Sequence, residues 1–362
     1  MQTADKKMAP AGRVRAQFMA SIVAGRRALA MFVLLPGPVM SAVAKMALVL
    51  TLSVALTGCA WLQAKQSQLA LRPTPGRPAG LPDDSVLFRP GDQRWLAPVL
   101  STSRAQTQQL ALWWLPSADP QAPTLLYLPG TFRNLYRNLP KINALRDAGF
   151  SVLAVDYRGW GDSTVIVPDE ETIAADARVA WVELQRRQPD PRRRVLFGHS
   201  MGGAVAVRLA STLRGSAGAG TLQDYAALVL ESTFTRLPDV ASQAGFIGRL
   251  AAGVTTLEFN SLARISRVDA PVLMLHGDAD STVPVQLGRA LRDAALQAAA
   301  TRAEAAPPLR WVEFAGGTHS RLHAESPAAY TQVMRDLIQR LGSGPALAIP
   351  PMPEPRPTPR TP

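Results

Sequence analysis

Cysteine is all but absent, and the single Cys59 excludes an intramolecular disulfide framework. Histidine is nearly as scarce. His199, His276, His319 and His323 have no thiols spaced about them in the way zinc sites require, so no metal is expected. Acidic residues are outnumbered, 27 against 39 Lys and Arg, for a net charge of +12. Half of that excess lies in residues 1–58, where seven basic residues meet only Asp5, and the remainder is scattered. The one dense run, Arg192-Arg193-Arg194, reads as a solvated loop, so no nucleic-acid-binding surface is expected. No internal repeat is visible. What is present is a hydrophobic content of 47%, enough for a large buried core in one large or two medium domains.

The N-terminal region reads as targeting sequence. Lys45 precedes the apolar run Met46–Leu56, eleven residues long, which suits a signal-peptide core and is short for a membrane span of about 20 residues. The run closes with Leu56-Thr57-Gly58-Cys59. This resembles the lipobox of bacterial lipoproteins, which implies lipidation of Cys59, cleavage before it, and a membrane-tethered protein facing the periplasm. Ala60 in place of an acidic residue leans that expectation toward the outer membrane. The stretch before the run is long for such a signal, so the start could be Met40. Alternatively, residues 28–58, interrupted by Pro36 and Pro38, could form an uncleaved anchor. Residues 59–83 are polar and then Pro/Gly-rich and read as a flexible tether, and the Pro-rich segment 342–362 reads as a disordered tail.

Between these ends, residues 84–341 alternate two patterns. Apolar runs of strand length occupy Thr124–Leu128, Ser151–Asp156, Val195–Gly198, Ala227–Leu230, Val272–His276 and Leu309–Phe314. Segments of helical spacing lie at Leu135–Ala148, Glu170–Arg187, Met201–Leu213, Pro284–Ala299 and Pro327–Leu341. Strands apolar throughout, separated by amphipathic helices, predict an α/β fold with a mostly parallel sheet covered on both faces. Ser85–Phe88 and Gln109–Leu115 are expected to add an antiparallel edge, for about eight strands in all.

The sharpest chemical signal is Gly198-His199-Ser200-Met201-Gly202, a G-x-S-x-G with a buried strand before it and a helix after it. That setting puts Ser200 on a tight strand-to-helix turn at the carboxyl end of the sheet, where bulkier flanking residues would clash. The Met201 amide then points at a developing oxyanion near the positive end of the helix.

These residues, with three further segments, resemble the α/β-hydrolase superfamily over about residues 84–341. The likeness is to the compact branch holding acyl-protein thioesterase-like and serine-aminopeptidase-like members. Asp156-Tyr157-Arg158-Gly159-Trp160-Gly161-Asp162-Ser163 is similar to the segment after the fourth strand, one that chiefly supports the nucleophile turn. His276-Gly277-Asp278-Ala279-Asp280-Ser281-Thr282-Val283-Pro284 and Gly316-Gly317-Thr318-His319 match the loops presenting the acid and the base. The resemblance implies a triad Ser200, Asp280 and His319, with Asp278 a close competitor for the acid and Glu231 a remote one. It also implies an oxyanion hole of the Met201 and Thr131 amides, although the family's usual His-Gly is here Pro129-Gly130. His199, His276 and His323 are expected to be structural or at the surface.

The segment Ser232–Ala270 supplies any cap. Its Phe234, Phe246, Ile247, Leu250, Leu257 and Phe259 suggest short helices with an apolar rim, and hence an ester or thioester with an acyl chain as substrate. A peptidase or amidase of the same fold, and a non-catalytic tethered binding protein, are the rival readings. The mechanism calls for no cofactor.

Overall fold

The computed structural model describes residues 61–100, 107–213, 224–243, 245, 253, 255–301 and 308–342. Cys59, the rest of residues 1–60 and the tail 343–362 lie outside the described residues. The chain divides into two units, residues 1–66 with 241–256, and residues 67–240 with 257–362. In the first, residues 61–66 are helical. Among the described residues, no helix is long and apolar enough to cross a membrane.

The second unit is built on an eight-stranded sheet: β1 (Gln93–Leu100), β2 (Thr107–Leu115), β3 (Thr124–Leu128), β4 (Ser151–Asp156), β5 (Arg194–His199), β6 (Ala227–Glu231), β7 (Val272–Gly277) and β8 (Leu309–Phe314). The strand order is β1-β2-β4-β3-β5-β6-β7-β8, antiparallel at β1/β2 and β2/β4 and parallel elsewhere. Every residue of β3 to β7 is buried, as expected when helices cover both faces. Alternate side chains serve two cores. Leu126, Leu128, Leu153, Val155 and Leu196 face one, and Leu125, Tyr127, Val152, Ala154 and Phe197 face the other.

Helices α1 (Leu135–Ala148) and α5 (Pro327–Gly342) cover the second of these faces, while α2 (Glu170–Arg187), α3 (Met201–Ala210) and α4 (Val285–Ala300) cover the first. Their ends follow local chemistry. The Asp169 side chain accepts from the Thr172 amide to open α2, and Gly149, at φ 119°, closes α1 with its amide on the carbonyls of Leu145 and Arg146.

Four sequence expectations change. Gln109–Leu115 lies in β2, antiparallel as expected, but Asp84–Leu87 is a helical turn, and the outer strand of that edge is β1, an eight-residue strand containing Pro98. Proline is tolerated there because β1 pairs on one side only. The expected tether 59–83 is helical over 61–71, Leu71 is fully buried, and Arg72 to Gly76 lie against the body through backbone hydrogen bonds between Gly76 and Gly161 and between Gly161 and Thr74. Arg194 is buried, its guanidinium donating to the carbonyls of Gln188, Pro189 and Asp224, so the arginine run is part structural. In the cap segment Phe234, Leu257 and Phe259 join the core instead of forming an exposed rim; Phe246, Ile247 and Leu250 lie outside the described residues.

Trp113 of β2 is the ring that joins the segment before β1 to α1, meeting Phe88 and Tyr136 edge-on at centroid distances of 5.0 and 4.8 Å. It is 1% exposed, so Trp113→Ala is expected to lower stability by about 3–5 kcal/mol in urea titrations. A loss under about 1 kcal/mol would show that the edge relaxes around the cavity.

Candidate active site

Ser200 stands between β5 and α3 with φ 55° and ψ −123°, a conformation that costs an L-residue about 1–3 kcal/mol and persists only where its surroundings enforce it. The enforcement is visible. The Ser200 amide donates to the Glu231 carbonyl at 2.9 Å, and the Thr233 hydroxyl donates to the Ser200 carbonyl at 2.9 Å. A Cβ on Gly198 would lie 2.3 Å from the Gly202 carbonyl oxygen, and one on Gly202 would lie 2.0 Å from that of Leu128. The spacing of the motif is thus set by close approach of backbone to backbone. The loop after β3 comes equally near: a Cβ on Gly130 would sit 2.9 Å from Ser200 Cβ. Thr131 is the next residue in that loop, and Met201, directly after the serine, opens α3.

The three side chains expected to act together do meet. Ser200 Oγ lies 2.9 Å from His319 Nε2, and His319 Nδ1 lies 2.7 Å from Asp280 Oδ2. The carboxylate can only accept, so the proton sits on His319 Nδ1 and leaves Nε2 free to accept from the serine hydroxyl. Asp280 Oδ1 accepts from the amides of Thr282 and Val283 at 2.9 and 2.8 Å. Burial opposes ionisation of Asp280, but hydrogen bonds from His276, His319 and the Val283 amide outweigh it and hold the carboxyl well below the usual carboxylate range.

The competitors for the acid are occupied elsewhere. Asp278 Oδ1 accepts from the Gly316 amide at 2.6 Å, bracing the loop that leads to His319. Glu231, completely buried, is paired with the buried Lys141 through Oε1 and accepts from Tyr330 through Oε2 at 2.8 Å. Each of these partners comes from a different helix, Lys141 from α1 and Tyr330 from α5.

Two histidines set aside at the sequence level touch the site. His199 Nε2 donates to the His319 carbonyl at 2.9 Å. Burial, reinforced by the charge of Lys141, holds that imidazole well below its ordinary pKa, so it is a neutral donor that pins the base's backbone. His276 is 1% exposed and its ring stacks on Trp311. Its Nε2 reaches the Val283 carbonyl at 2.9 Å and Asp280 Oδ2 at 3.3 Å, fixing the acid's rotamer. The His199 contact spans 120 residues, beyond the reach of any local pattern, while those of His276 are local, four and seven residues ahead in the loop that presents Asp280. Tyr157, Arg158 and Trp160 are buried scaffold, with Arg158 held by Asp176 at 2.7 Å. Among the described residues, no group of three or more His, Cys, Asp or Glu could hold a metal ion.

Comparisons with known proteins agree with this architecture. The pattern of a family described as serine aminopeptidase, S33, matches residues 122–259. An uncharacterized protein of Mycobacterium tuberculosis is 33% identical over 235 residues, 64% of this chain and 74% of that protein. The lysophosphatidylserine lipase ABHD12 of Danio rerio is 32% identical over 201 residues, covering 52% of this chain and 51% of its own, so the chain spans about half the length of that relative. A solved esterase of Pyrococcus furiosus superposes with a TM-score of 0.56 at 18% identity, covering 75% of this chain and 97% of that one, a likeness of fold alone. Fold and site together define a hydrolase. The chain belongs to the α/β-hydrolase superfamily.

His323, behind the base, offers a pH-dependent check. Its ring lies beside Tyr330, and its Nδ1 is buried without a hydrogen-bond partner. Burial, with the charge of Lys141, draws its pKa from 6.5 down to about 4. The unfolded chain therefore takes up this proton first on acidification. The stabilising share of the neutral ring is complete above pH 6.5 and drains away as pH falls through about 4. His323→Gln is expected to flatten the fall of the melting temperature across that interval; an unchanged slope would contradict the assignment.

Proposed function

We propose that the protein hydrolyses a carboxylic ester or thioester through an acyl-enzyme on Ser200. The observation that carries this reading is the unbroken chain Ser200 Oγ–His319–Asp280, with links of 2.9 and 2.7 Å, ending on a serine held in a strained turn. His319 takes the hydroxyl proton as Ser200 Oγ attacks the carbonyl carbon, and Asp280 holds the imidazole tautomer and stabilises the imidazolium. The amides of Met201 and Thr131 receive the oxyanion. His319 then protonates the leaving alcohol or thiol, and water activated by the same imidazole releases the acid and restores Ser200.

Ester over amide is supported by the relative named a lysophosphatidylserine lipase, which stands beside the serine aminopeptidase pattern. Lysophospholipid-like monoacyl esters are accordingly the first natural class to try. The peptidase reading rests on that pattern alone. On a p-nitrophenyl ester series of rising chain length, the wild type is expected to turn over and to label with a fluorophosphonate, and Ser200→Ala to do neither. Asp280→Asn is expected to lower kcat by about a thousandfold to ten-thousandfold, because the wrong tautomer faces the serine. Turnover of peptide p-nitroanilides but of no ester would favour the peptidase, and absence of labelling in folded protein would sink the enzyme reading.

We also propose that the mature chain begins at a diacylglyceryl-modified Cys59 and is tethered to the cell envelope, facing the periplasm. Support comes from Lys45, the apolar run and Leu56-Thr57-Gly58-Cys59. Mass spectrometry of the N-terminal peptide is expected to show a lipidated cysteine; an unmodified peptide spanning residues 56–62 would refute it.

A further inference from the structure

We propose that the segment Arg72 to Gly76 is a strap that positions the oxyanion side of the site, with Asn134 and Arg72 as the positioning residues. The inference rests on the hydrolase reading above and assigns a role to a stretch whose composition is that of a linker.

The strap is fixed along its length. It follows fully buried Leu71, and Pro73 packs beside Gly159, where a Cβ would meet it at 3.2 Å. The Gly76 amide donates to the Gly161 carbonyl at 2.7 Å, and the Gly161 amide to the Thr74 carbonyl at 3.0 Å. Beyond it, the Arg77 guanidinium lies over the Tyr136 ring at 5.3 Å and pairs with Asp84.

The loop that the strap covers is the one beside Ser200. Asn134 occupies the N-cap of α1, where an asparagine side chain ordinarily accepts from the first-turn amides, yet it makes no such bond. Its Nδ2 donates instead to the strap carbonyls of Gly76 and Thr74, at 2.8 and 3.2 Å, and the side chain is buried. The capping contact has been exchanged for a tertiary one. The first α1 amide, that of Leu135, is met by Asp156 Oδ1 at 2.9 Å.

Two residues earlier stands Phe132, with φ 68° and 45% exposed as a residue. The Arg72 guanidinium lies over its ring, 5.1 Å from the centroid. From inside, Asn138 donates to the carbonyls of Asn134 and Arg133 at 2.9 and 3.3 Å. Thr131 thus sits between Gly130, pressed on Ser200, and Phe132 and Asn134, held by the strap. Small displacements of an oxyanion donor act on the transition state and leave substrate binding almost untouched.

The test uses the full-length chain and the variants Asn134→Ala, Arg72→Ala and Arg72→Lys. Their kcat and KM on a p-nitrophenyl ester are compared with their affinity for a trifluoromethyl ketone, which forms a tetrahedral adduct on the serine. For the two alanine variants, kcat and ketone affinity are expected to fall together by roughly tenfold to a hundredfold, with KM within about twofold. Arg72→Lys, which keeps a cation over the ring, is expected to recover most of the loss. Arg72 is exposed, so its alanine variant folds even if Asn134→Ala is too unstable to assay. Wild-type kcat in Arg72→Ala, or a kcat loss without loss of ketone affinity, would overturn the inference. If the wild type cleaves no ester, the rate of fluorophosphonate labelling replaces kcat, so that failure of the substrate reading and failure of the strap remain distinguishable.

Discussion

The backbone of Ser200 sits at φ 55° and ψ −123°, and the contacts that keep it there organise the centre of the molecule. A serine relaxed into the helix that follows would turn its hydroxyl away from the loop carrying His319. The turn survives because it is gripped at once by the Glu231 carbonyl on the neighbouring strand, by the Thr233 hydroxyl, and by the loop after β3 through Gly130. Much of the remaining architecture supports one of these three grips.

Beneath the Glu231 grip lies a group of buried charges. Lys141 and Tyr330 bind the Glu231 side chain from two helices, so the strand end that receives the Ser200 amide is tied to the face of the sheet opposite α3. Breaking such a pair leaves an uncompensated charge, which is why Glu231 is better understood as a fixed brace than as a spare acid. The histidines divide the labour in a similar way. His319 alone bridges serine and carboxylate, His199 holds the carbonyl of His319, and His276 holds Asp280.

Legibility in the sequence followed the range of the interactions. Strands β2 to β8 and the long helices α1 to α5 could be placed within a few residues, because apolar runs and helical spacing are local signals. Ser200, Asp280 and His319 could be named because each is attached to a short motif at a strand end. The contact of His199 could not, since it joins a strand end to a loop 120 residues away that it meets only in the folded chain, whereas those of His276 are local and depend on how the His276–Pro284 loop turns back on its own strand. Strand β1 was hidden by Pro98, which an edge strand tolerates and a pattern search penalises. Residues 72–76 were misread for a different reason. Proline and glycine report that a segment has no core of its own, and say nothing of whether its carbonyls are taken up by a partner such as Asn134.

A nucleophile at Ser200 and backbone donors at Met201 and Thr131 are expected to form one site. Its most direct test is the crystal structure of the protein after reaction with a phosphonate ester. The expected adduct has a covalent bond from Ser200 Oγ to phosphorus, with the phosphoryl oxygen between the amides of Met201 and Thr131 and within hydrogen-bond reach of both. An adduct on another residue, or a phosphoryl oxygen turned away from both amides, would contradict it.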